Sequence, residues 1–233
     1  MNGIYAAVIM EGRLRLHTIL EPDHGELQRS ANFPEGDRAA RLLDCAVTDD
    51  FLVFATDTNY IVYFALKEWA VVSEYKHTCA IKRIFVEPDG VRLCLFDDRM
   101  DTAIYSPVDD SLLKLPPVGA TVQYKGALWE TFTIDRDTFV VYDNNEVYVF
   151  LLSRSEIGGE QIVYVGNTKL DYGHTPLMLS KGIVCCLTPN GKTSGVLLTS
   201  NMTDNVFDRK NIEEISKMLQ QAINLKRCVF HSK

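Results

Sequence analysis

The pattern of apolar and polar residues between positions 126 and 152 predicts a meander of three antiparallel strands. The strands cover residues 129–134, 138–142 and 147–152, and clusters of Asp and Asn separate them, as is typical of tight turns between β-strands. The third strand is apolar on both of its faces, so it must be covered on both sides. One meander does not supply that cover, and other parts of the chain must therefore pack against it.

The same strand pattern recurs along the chain. After a hairpin over residues 3–20, sets of strands are predicted at 42–75, 80–115, 126–166 and 176–199. Their second strands begin about 40, 47 and 44 residues apart, which is the period of a four-stranded β-propeller blade. Because no Gly-His start or Trp-Asp end is present, we expect degenerate blades. The predicted fold class is all-β, a partial WD-type β-propeller of about four blades, with a β-sandwich as the alternative.

Two segments depart from this pattern. Residues 21–41 are polar and contain prolines and glycines, which predicts a loop. Residues 211–225 carry a single apolar stripe at helical spacing, with a pattern close to a capping box at the start. We therefore predict two regions, a partial β-propeller over residues 1–203 and a C-terminal amphipathic helix with its tail over residues 204–233.

Charge, hydropathy and cysteine usage narrow the function classes. The net charge is −7, which argues against nucleic-acid binding because phosphate contacts need a basic surface. No apolar run reaches the roughly 18 residues needed for a membrane span. No Cys-x-x-Cys pair is present, and the cysteines are interpreted as small buried free thiols in a reducing compartment: Cys45, Cys79, Cys94, Cys185, Cys186 and Cys228.

None of the short motifs predicts a reaction. Gly191-Lys192-Thr193 resembles the end of a phosphate-binding loop, but it precedes a strand and its upstream glycine is missing, so we predict a hairpin turn. Adjacent acid pairs are interpreted as turn formers: Asp49-Asp50, Asp97-Asp98 and Asp109-Asp110. The histidines show no metal-ligand spacing with one another or with cysteine: His17, His24, His77, His174 and His231. We predict no catalytic, cofactor-binding or metal-ligating residues, and no cofactor.

One enzymatic alternative stays open. A propeller-type hydrolase would use acidic and histidine side chains at a central channel, and the candidates are Asp57, Asp97, Asp143 and His174. Two or more of them would have to meet in one buried pocket, because carboxylates with perturbed pKa values cluster at working sites.

Several stretches carry a resemblance that extends through loops and turns as well as apolar strands. They read DDFLVFATDT (49–58), YKHTCAIKRIFVEPDGVRLCLFDDRMDTAIYSPVDD (75–110), GALWETFTIDRDTFVVYDNNEVYVFLL (126–152), GNTKLDYGHTPLMLSKGIVCCLTPNGKTSGVLLTS (166–200) and LQQAINLKR (219–227). Over most of residues 4–227 the chain resembles the C-terminal part of the second WD-type propeller in the family of intraflagellar transport protein 144, also called WD repeat-containing protein 19.

The resemblance implies a non-catalytic scaffold. Members of that family are subunits of intraflagellar transport complex A, which acts in retrograde transport and cilium assembly. The implied partners are other complex A subunits and ciliary cargo adaptors, and the implied location is the cytoplasm and the cilium, at the ciliary base and axoneme. Family members have two propellers followed by a helical solenoid. Residues 204–233 would then be the start of a truncated solenoid, and the chain a fragment.

Overall fold

The computed structural model describes residues 5–10, 13–18, 27–32, 40–99, 101–119, 122–131, 137–155 and 159–198. The regular structure within these ranges is β-strand, and the strands of each sheet pair antiparallel. The chain divides into two compact units, Met1–Leu115 and Pro116–Lys233, which are described one at a time. No helix in the described part of the chain is long and apolar enough to cross a membrane.

Three sheets make up the described part of the first unit. The first sheet contains β1 (Tyr5–Met10), β2 (Arg13–Thr18) and β3 (Leu27–Asn32). The second contains β4 (Leu42–Val47), β5 (Phe51–Thr56), β6 (Tyr60–Ala65) and β7 (Ala70–Lys76). The third contains β8 (Ile81–Val86), β9 (Leu93–Asp97), β10 (Thr102–Ser106) and β11 (Ser111–Lys114). In all three, strands that are consecutive in the chain are neighbours in the sheet.

The second unit contributes two more sheets. One contains β12 (Gly126–Trp129), β13 (Thr138–Tyr142), β14 (Glu146–Ser155) and β15 (Gly159–Lys169). The other contains β16 (Thr175–Ser180), β17 (Ile183–Leu187) and β18 (Thr193–Leu197). Such meanders of consecutive strands are typical of propeller blades, whereas a β-sandwich requires strands that cross between two sheets. The second strands of the last four sheets begin about 42–45 residues apart, so the predicted period is kept.

One predicted boundary was wrong. Strand β3 lies inside residues 21–41, which the sequence analysis predicts as a loop, and it pairs with β2 from Asn32 to Leu27. Its sequence is mostly polar, so backbone pairing and not an apolar pattern defines it. Strand β12 covers Gly126–Trp129, and Glu130 forms a parallel bridge with Leu179 of the next sheet; residues 132–134 of the predicted first strand lie outside the described residues. The predicted helix over 211–225 lies outside the described residues and stays a prediction.

The middle strands of the second sheet are buried on both faces, as their continuous apolar runs require. Nearly every residue of β5 and β6 is buried. One face forms a common core with the third sheet, through residues such as Val53, Tyr63, Ile84 and Leu95. The other face forms a separate cluster around Phe54. Each large side chain buried in this way contributes about 1.5–3 kcal/mol, so burial on both faces stabilises these strands.

The same two-sided burial occurs in the second unit. Val147, Val149 and Phe150 of β14 have exposures of 2% or less, which confirms that the third strand of the meander is covered on both sides. Val149 belongs to a core shared with Leu179 and Val184 of the next sheet. The first strand of that sheet, β16, packs against β12 and β13. The meander and its successor therefore share one apolar layer.

A close approach between sheets in the first unit requires glycine at position 90. Gly90 lies in the turn between β8 and β9 with φ of +77°, and a Cβ atom there would come within 2.5 Å of Thr48 Oγ1. Thr48 lies in the turn between β4 and β5. A side chain at residue 90 would therefore be disfavoured by its backbone conformation and by the turn of the neighbouring sheet.

Aromatic residues form a row across all four strands of the meander sheet. Trp129 pairs with Phe139, Phe139 with Phe150, and Phe150 with Tyr164. The ring centroids of successive members lie 5.0, 5.4 and 5.6 Å apart. Trp129 is 5% exposed, so its ring is buried against Phe139. Such cross-strand aromatic pairs stabilise a sheet beyond their buried area.

We expect Trp129→Ala to lower the free energy of unfolding by about 3–5 kcal/mol, because it removes a buried aromatic ring and leaves a cavity. Urea unfolding followed by circular dichroism measures the change. The control is Tyr164→Ala at the other end of the row, where the side chain is 37% exposed and the loss should be clearly smaller. Equal losses of stability in the two variants would contradict the view that the row runs from a buried ring at Trp129 to a partly exposed ring at Tyr164.

Candidate functional site

In successive sheets, a side-chain oxygen at the start of the turn between the second and third strands accepts a hydrogen bond from a backbone N–H group. In the second sheet Asp57 Oδ1 accepts a hydrogen bond from the backbone N–H of Arg41 at 2.7 Å. In the meander sheet Asp143 Oδ1 accepts from the backbone N–H groups of Asn145 and Glu146 at 2.7 and 2.8 Å. A short acidic side chain that binds nearby backbone N–H groups is a typical turn former.

The third and fifth sheets use the same position. Asp97 Oδ1 accepts from the backbone N–H groups of Arg99 and Asp101, both at 2.9 Å. In the fifth sheet Thr188 takes the place of the aspartate, and its Oγ1 accepts from the backbone N–H of Lys192 at 3.1 Å. The internal repeat, weak in sequence, is therefore visible in the hydrogen bonds of one turn.

This repeat explains the four residues considered for a hydrolase. Asp57, Asp97 and Asp143 lie at the corresponding turn of three different sheets. Asp97 and Asp143 bind backbone N–H groups within the turn, whereas Asp57 binds the N–H of Arg41, which precedes β4. His174 lies in the turn before β16, where its backbone N–H donates to Asp171 O at 3.1 Å. Asp97 and Asp143 therefore act as turn formers, and Asp57 connects its turn to the residue before β4.

The remaining motifs also lie in turns. Gly191 has φ of +74° and its backbone N–H donates to Thr188 O at 2.9 Å, in the tight turn before β18. The predicted hairpin turn at Gly191-Lys192-Thr193 is thus confirmed. Asp49-Asp50 connects β4 to β5 and Asp109-Asp110 connects β10 to β11, which confirms that these acid pairs form turns.

A buried cluster of different chemistry lies in the third sheet and the segment leading to it. His77, Cys79 and Asp97 place an imidazole nitrogen, a thiol sulfur and a carboxylate oxygen within 4.8 Å of one another. Their exposures are 7%, 8% and 3%. His77 Nε2 and Asp97 Oδ2 are 3.2 Å apart. This hydrogen bond joins the segment after β7 to the end of β9.

Aromatic and acidic groups surround the cluster. The hydroxyl of Tyr75 lies 3.3 Å from His77 Nδ1, and the Tyr75 ring stacks on Tyr105 with centroids 4.3 Å apart. Burial raises the pKa of Tyr75, and the negative charge of Asp110 raises it further. The hydroxyl is therefore protonated at neutral pH and serves His77 as a hydrogen-bond partner.

Sequence spacing did not reveal this cluster, for a structural reason. Asp97 lies twenty residues after His77, and pairing of β8 with β9 brings the two ends together. His77 and Cys79 are separated by one residue only, a spacing that is ambiguous by itself. A sequence signal for the cluster does exist, namely a His-x-Cys segment before β8 combined with an aspartate at the end of β9.

Buried carboxylates also connect neighbouring sheets. Glu130, 1% exposed, accepts hydrogen bonds from the backbone N–H groups of Lys181 and Gly182 at 2.9 and 3.0 Å. Beside it the backbone N–H and the Oγ1 of Thr131 both donate to Leu179 O, at 3.1 and 3.0 Å. This group of contacts, the Glu130 clasp, ties the end of β12 to the hairpin of β16 and β17.

A related contact lies in the first unit. Asp44 Oδ2 accepts from the backbone N–H of Ile84 and from Arg83 Nε, both at 3.1 Å. Asp44 is on the first strand of its sheet, and Ile84 is on the first strand of the next. In both units a carboxylate on or just after the first strand of one sheet therefore accepts backbone N–H groups from the following sheet.

The cysteines are free thiols in the described residues. Cys79, Cys94, Cys185 and Cys186 are buried, as predicted, whereas the prediction was wrong for Cys45, which is exposed. Cys228 lies outside the described residues. Burial raises the pKa of Cys185 to about 11. Burial, followed by the charges of Cys185 and Asp171, raises the pKa of Cys186 to about 12.

Comparison with known proteins identifies the family of this chain. The family described as "WDR19 second beta-propeller" matches residues 1–201. The chain belongs to this family. It is 48% identical over 227 residues to WD repeat-containing protein dyf-2 of Caenorhabditis elegans and 35% identical over 230 residues to WD repeat-containing protein 19 of Homo sapiens. Each alignment covers 97% of this chain but only 16% and 17% of the two relatives.

Solved structures support the fold. Hsv2 of Kluyveromyces lactis superposes with a TM-score of 0.59 at 14% identity, over 90% of this chain and 68% of that one. The WD40 domain of SCAP from fission yeast superposes with a TM-score of 0.53 at 19% identity, over 74% and 43%. Identities this low speak for the fold alone. The predicted all-β, partial WD-type propeller and its resemblance to the WDR19 second propeller are thus confirmed.

We expect Glu130→Ala in this WDR19-type propeller to lower the free energy of unfolding by about 2–4 kcal/mol, because two backbone N–H groups lose a charged acceptor in a buried place. Glu130→Gln should cost less, since its amide oxygen still accepts. Chemical unfolding measures both. Glu74→Ala, at an exposed position of β7, is the control and should change stability by less than about 0.5 kcal/mol. A Glu130→Ala loss no larger than the control would rule out the clasp.

We expect the WDR19-type propeller to lose stability as pH rises above about 9. A thiol in the unfolded chain releases its proton near its ordinary pKa of about 8.5, whereas folded Cys186 keeps its proton until pH approaches about 12. The full contribution is therefore present below pH 8.5 and falls as pH rises toward 12.

Urea midpoints at pH 8, 9 and 10.5, with Cys186→Ala beside the parent, measure this dependence. The variant should show a shallower decline, by up to about 1.4 kcal/mol per pH unit. Indistinguishable pH profiles for parent and variant would count against the buried-thiol explanation.

Proposed function

We propose that this chain is a non-catalytic protein-interaction module of an intraflagellar transport scaffold. It would act as part of a complex A subunit, in retrograde ciliary transport and cilium assembly. Its partners would be other complex A subunits and ciliary cargo adaptors. The places of action would be the cytoplasm and the cilium, at the ciliary base and along the axoneme.

One observation carries this proposal, namely the match to the WDR19 second beta-propeller over residues 1–201. The 48% identity to dyf-2 supports it, since that alignment covers 97% of the chain. The chain spans 16% of the length of dyf-2. The proposal therefore concerns the share of the scaffold that a single propeller supplies.

The geometry of the described residues agrees with a binding role. The acids considered for a propeller hydrolase bind backbone N–H groups, as described above. Large apolar side chains stand out from turns elsewhere, with Tyr172 95% and Val108 73% exposed. Rigid strands with variable turns are a common basis for protein recognition. A hydrolase has no comparable support.

The proposed domain division extends the same idea. We propose that residues 204–233 form an amphipathic helix that follows the propeller region of residues 1–203. Its apolar stripe would need a partner surface, because a one-sided helix is stable only when that side is covered.

Proximity labelling in ciliated cells tests the function. The 233-residue chain is fused to a biotin ligase, and we expect complex A subunits among the enriched proteins, with signal at the ciliary base. The control bait is Kluyveromyces lactis Hsv2, which has the same fold at 14% identity. Complex A subunits should be at least tenfold richer with the chain than with this control.

A folding control sharpens the result. Trp129→Ala should reduce the recovery of complex A subunits because it disrupts a packed sheet, while Tyr164→Ala should leave most of it. Absence of complex A subunits with the folded parent, or equal recovery with Hsv2, would overturn the proposed function.

A further inference from the structure

We propose that His77, Cys79 and Asp97 form a binding site for a divalent metal ion of the zinc class. The three residues supply one nitrogen, one sulfur and one oxygen atom, all within 4.8 Å of one another. All three side chains are buried. The site lies entirely within the first unit, between the end of β7 and the turn after β9.

The distances suit a tetrahedral ion. Zinc binds nitrogen and oxygen at about 2.0–2.2 Å and sulfur at about 2.3 Å, which places ligand atoms roughly 3.3–3.8 Å apart. His77 Nε2 and Asp97 Oδ2 already lie 3.2 Å apart. The remaining separations are at most 4.8 Å. Metal binding would require the Cys79 side chain to turn toward the other two ligands and to give up the 3.5 Å contact of its sulfur with Thr78 Oγ1.

The set of donor atoms selects the metal. Calcium and magnesium prefer oxygen ligands only, whereas imidazole together with thiolate favours zinc and similar ions. Three protein ligands leave the fourth position of a tetrahedral ion to a water molecule. A thiolate and a carboxylate also balance the charge of a divalent cation, which buried anions require.

Neighbouring groups hold two of the ligands in place. The backbone N–H groups of Arg99 and Asp101 bind Asp97 Oδ1 at 2.9 Å each, which turns Oδ2 toward His77. Tyr75 lies 3.3 Å from His77 Nδ1 through its hydroxyl. When Nδ1 carries the proton it donates to that hydroxyl, and the lone pair of Nε2 then faces the carboxylate. Such outer partners are typical of protein metal sites.

The metal-free and metal-bound forms use the same atoms differently. Without metal, a proton on Nε2 joins His77 to Asp97 in the hydrogen bond seen here. With metal, the cation replaces that proton, and the proton moves to Nδ1 beside Tyr75. The thiol of Cys79 releases its proton to solvent on binding. The ion would then connect the segment before β8 to the end of β9 more strongly than the hydrogen bond alone.

Cobalt(II) is the probe that distinguishes the two forms. The 233-residue chain, reduced and freed of metal by a chelator, is titrated with cobalt in a background of Cys45→Ser and Cys228→Ser, which removes the exposed thiol and the one outside the described residues. We expect one cobalt per chain, with a thiolate-to-cobalt charge-transfer band and the intense visible bands of tetrahedral cobalt. Zinc should displace it and raise the melting temperature.

Three variants test the ligands. Cys79→Ser should abolish the charge-transfer band, and Asp97→Asn should weaken cobalt binding at least tenfold. Tyr75→Phe should weaken it about tenfold, as for other outer-sphere changes, while it keeps the ring that stacks on Tyr105. Circular dichroism and a cooperative melt establish that each variant is folded. If Cys79→Ser fails to fold, the other two variants carry the test.

Two results would overturn the proposal. One is a folded parent that shows no charge-transfer band and no change of melting temperature with zinc. The other is a band that persists in Cys79→Ser, which would place the metal on a different thiol. In either case the cluster would be a buried hydrogen bond that joins two segments of the sheet and nothing more.

Discussion

The structure depends on strands that are apolar on both faces. β5, β6 and β14 have side chains buried on both faces, so a sheet containing them is stable only with an apolar layer on each side. The first strand of the following sheet supplies part of that cover, as β8 does for β4 and β5 and β16 does for β12 and β13. A hairpin or meander alone would leave this surface in water. Repetition of the unit therefore provides the apolar cover that its middle strands require.

Carboxylates add directional contacts between sheets that already pack through apolar side chains. Apolar layers tolerate small displacements, whereas a carboxylate that accepts backbone N–H groups has a defined position and direction. Glu130 and Asp44 both reach from one sheet to the next, and both are met by backbone atoms. Almost every residue has a backbone N–H group. The contact therefore constrains the backbone position of the following sheet and places little constraint on which side chains that sheet carries. This allows the blades to diverge in sequence while they keep the same arrangement of contacts.

The same chemical group serves different purposes in this chain. Asp143 binds backbone N–H groups of its own turn, and Asp57 binds the backbone N–H of Arg41 before β4. Asp97 binds its turn with one oxygen, while its other oxygen contacts His77. The second carboxylate oxygen of Asp97, the imidazole of His77 and the thiol of Cys79 distinguish this turn from its counterparts. Membership of the WDR19 second beta-propeller family accounts for the common frame. Among the described residues, the histidine, cysteine and aspartate cluster occurs at this turn alone.

The sequence by itself determined the all-β class, the positions of most strands from residue 42 onward and the four-strand period, because apolar runs and turn residues are local signals. It also indicated the turn role of the acid pairs and of Gly191. Tertiary structure decided the rest. Strand β3 forms although its sequence is polar, because β2 offers backbone partners. Glu130 pairs with Thr138 of its own sheet and also bridges to Leu179 of the next one, and His77 contacts Asp97 twenty residues later in the chain. Each of these depends on a partner distant in the chain, and a local pattern does not encode the identity of that partner.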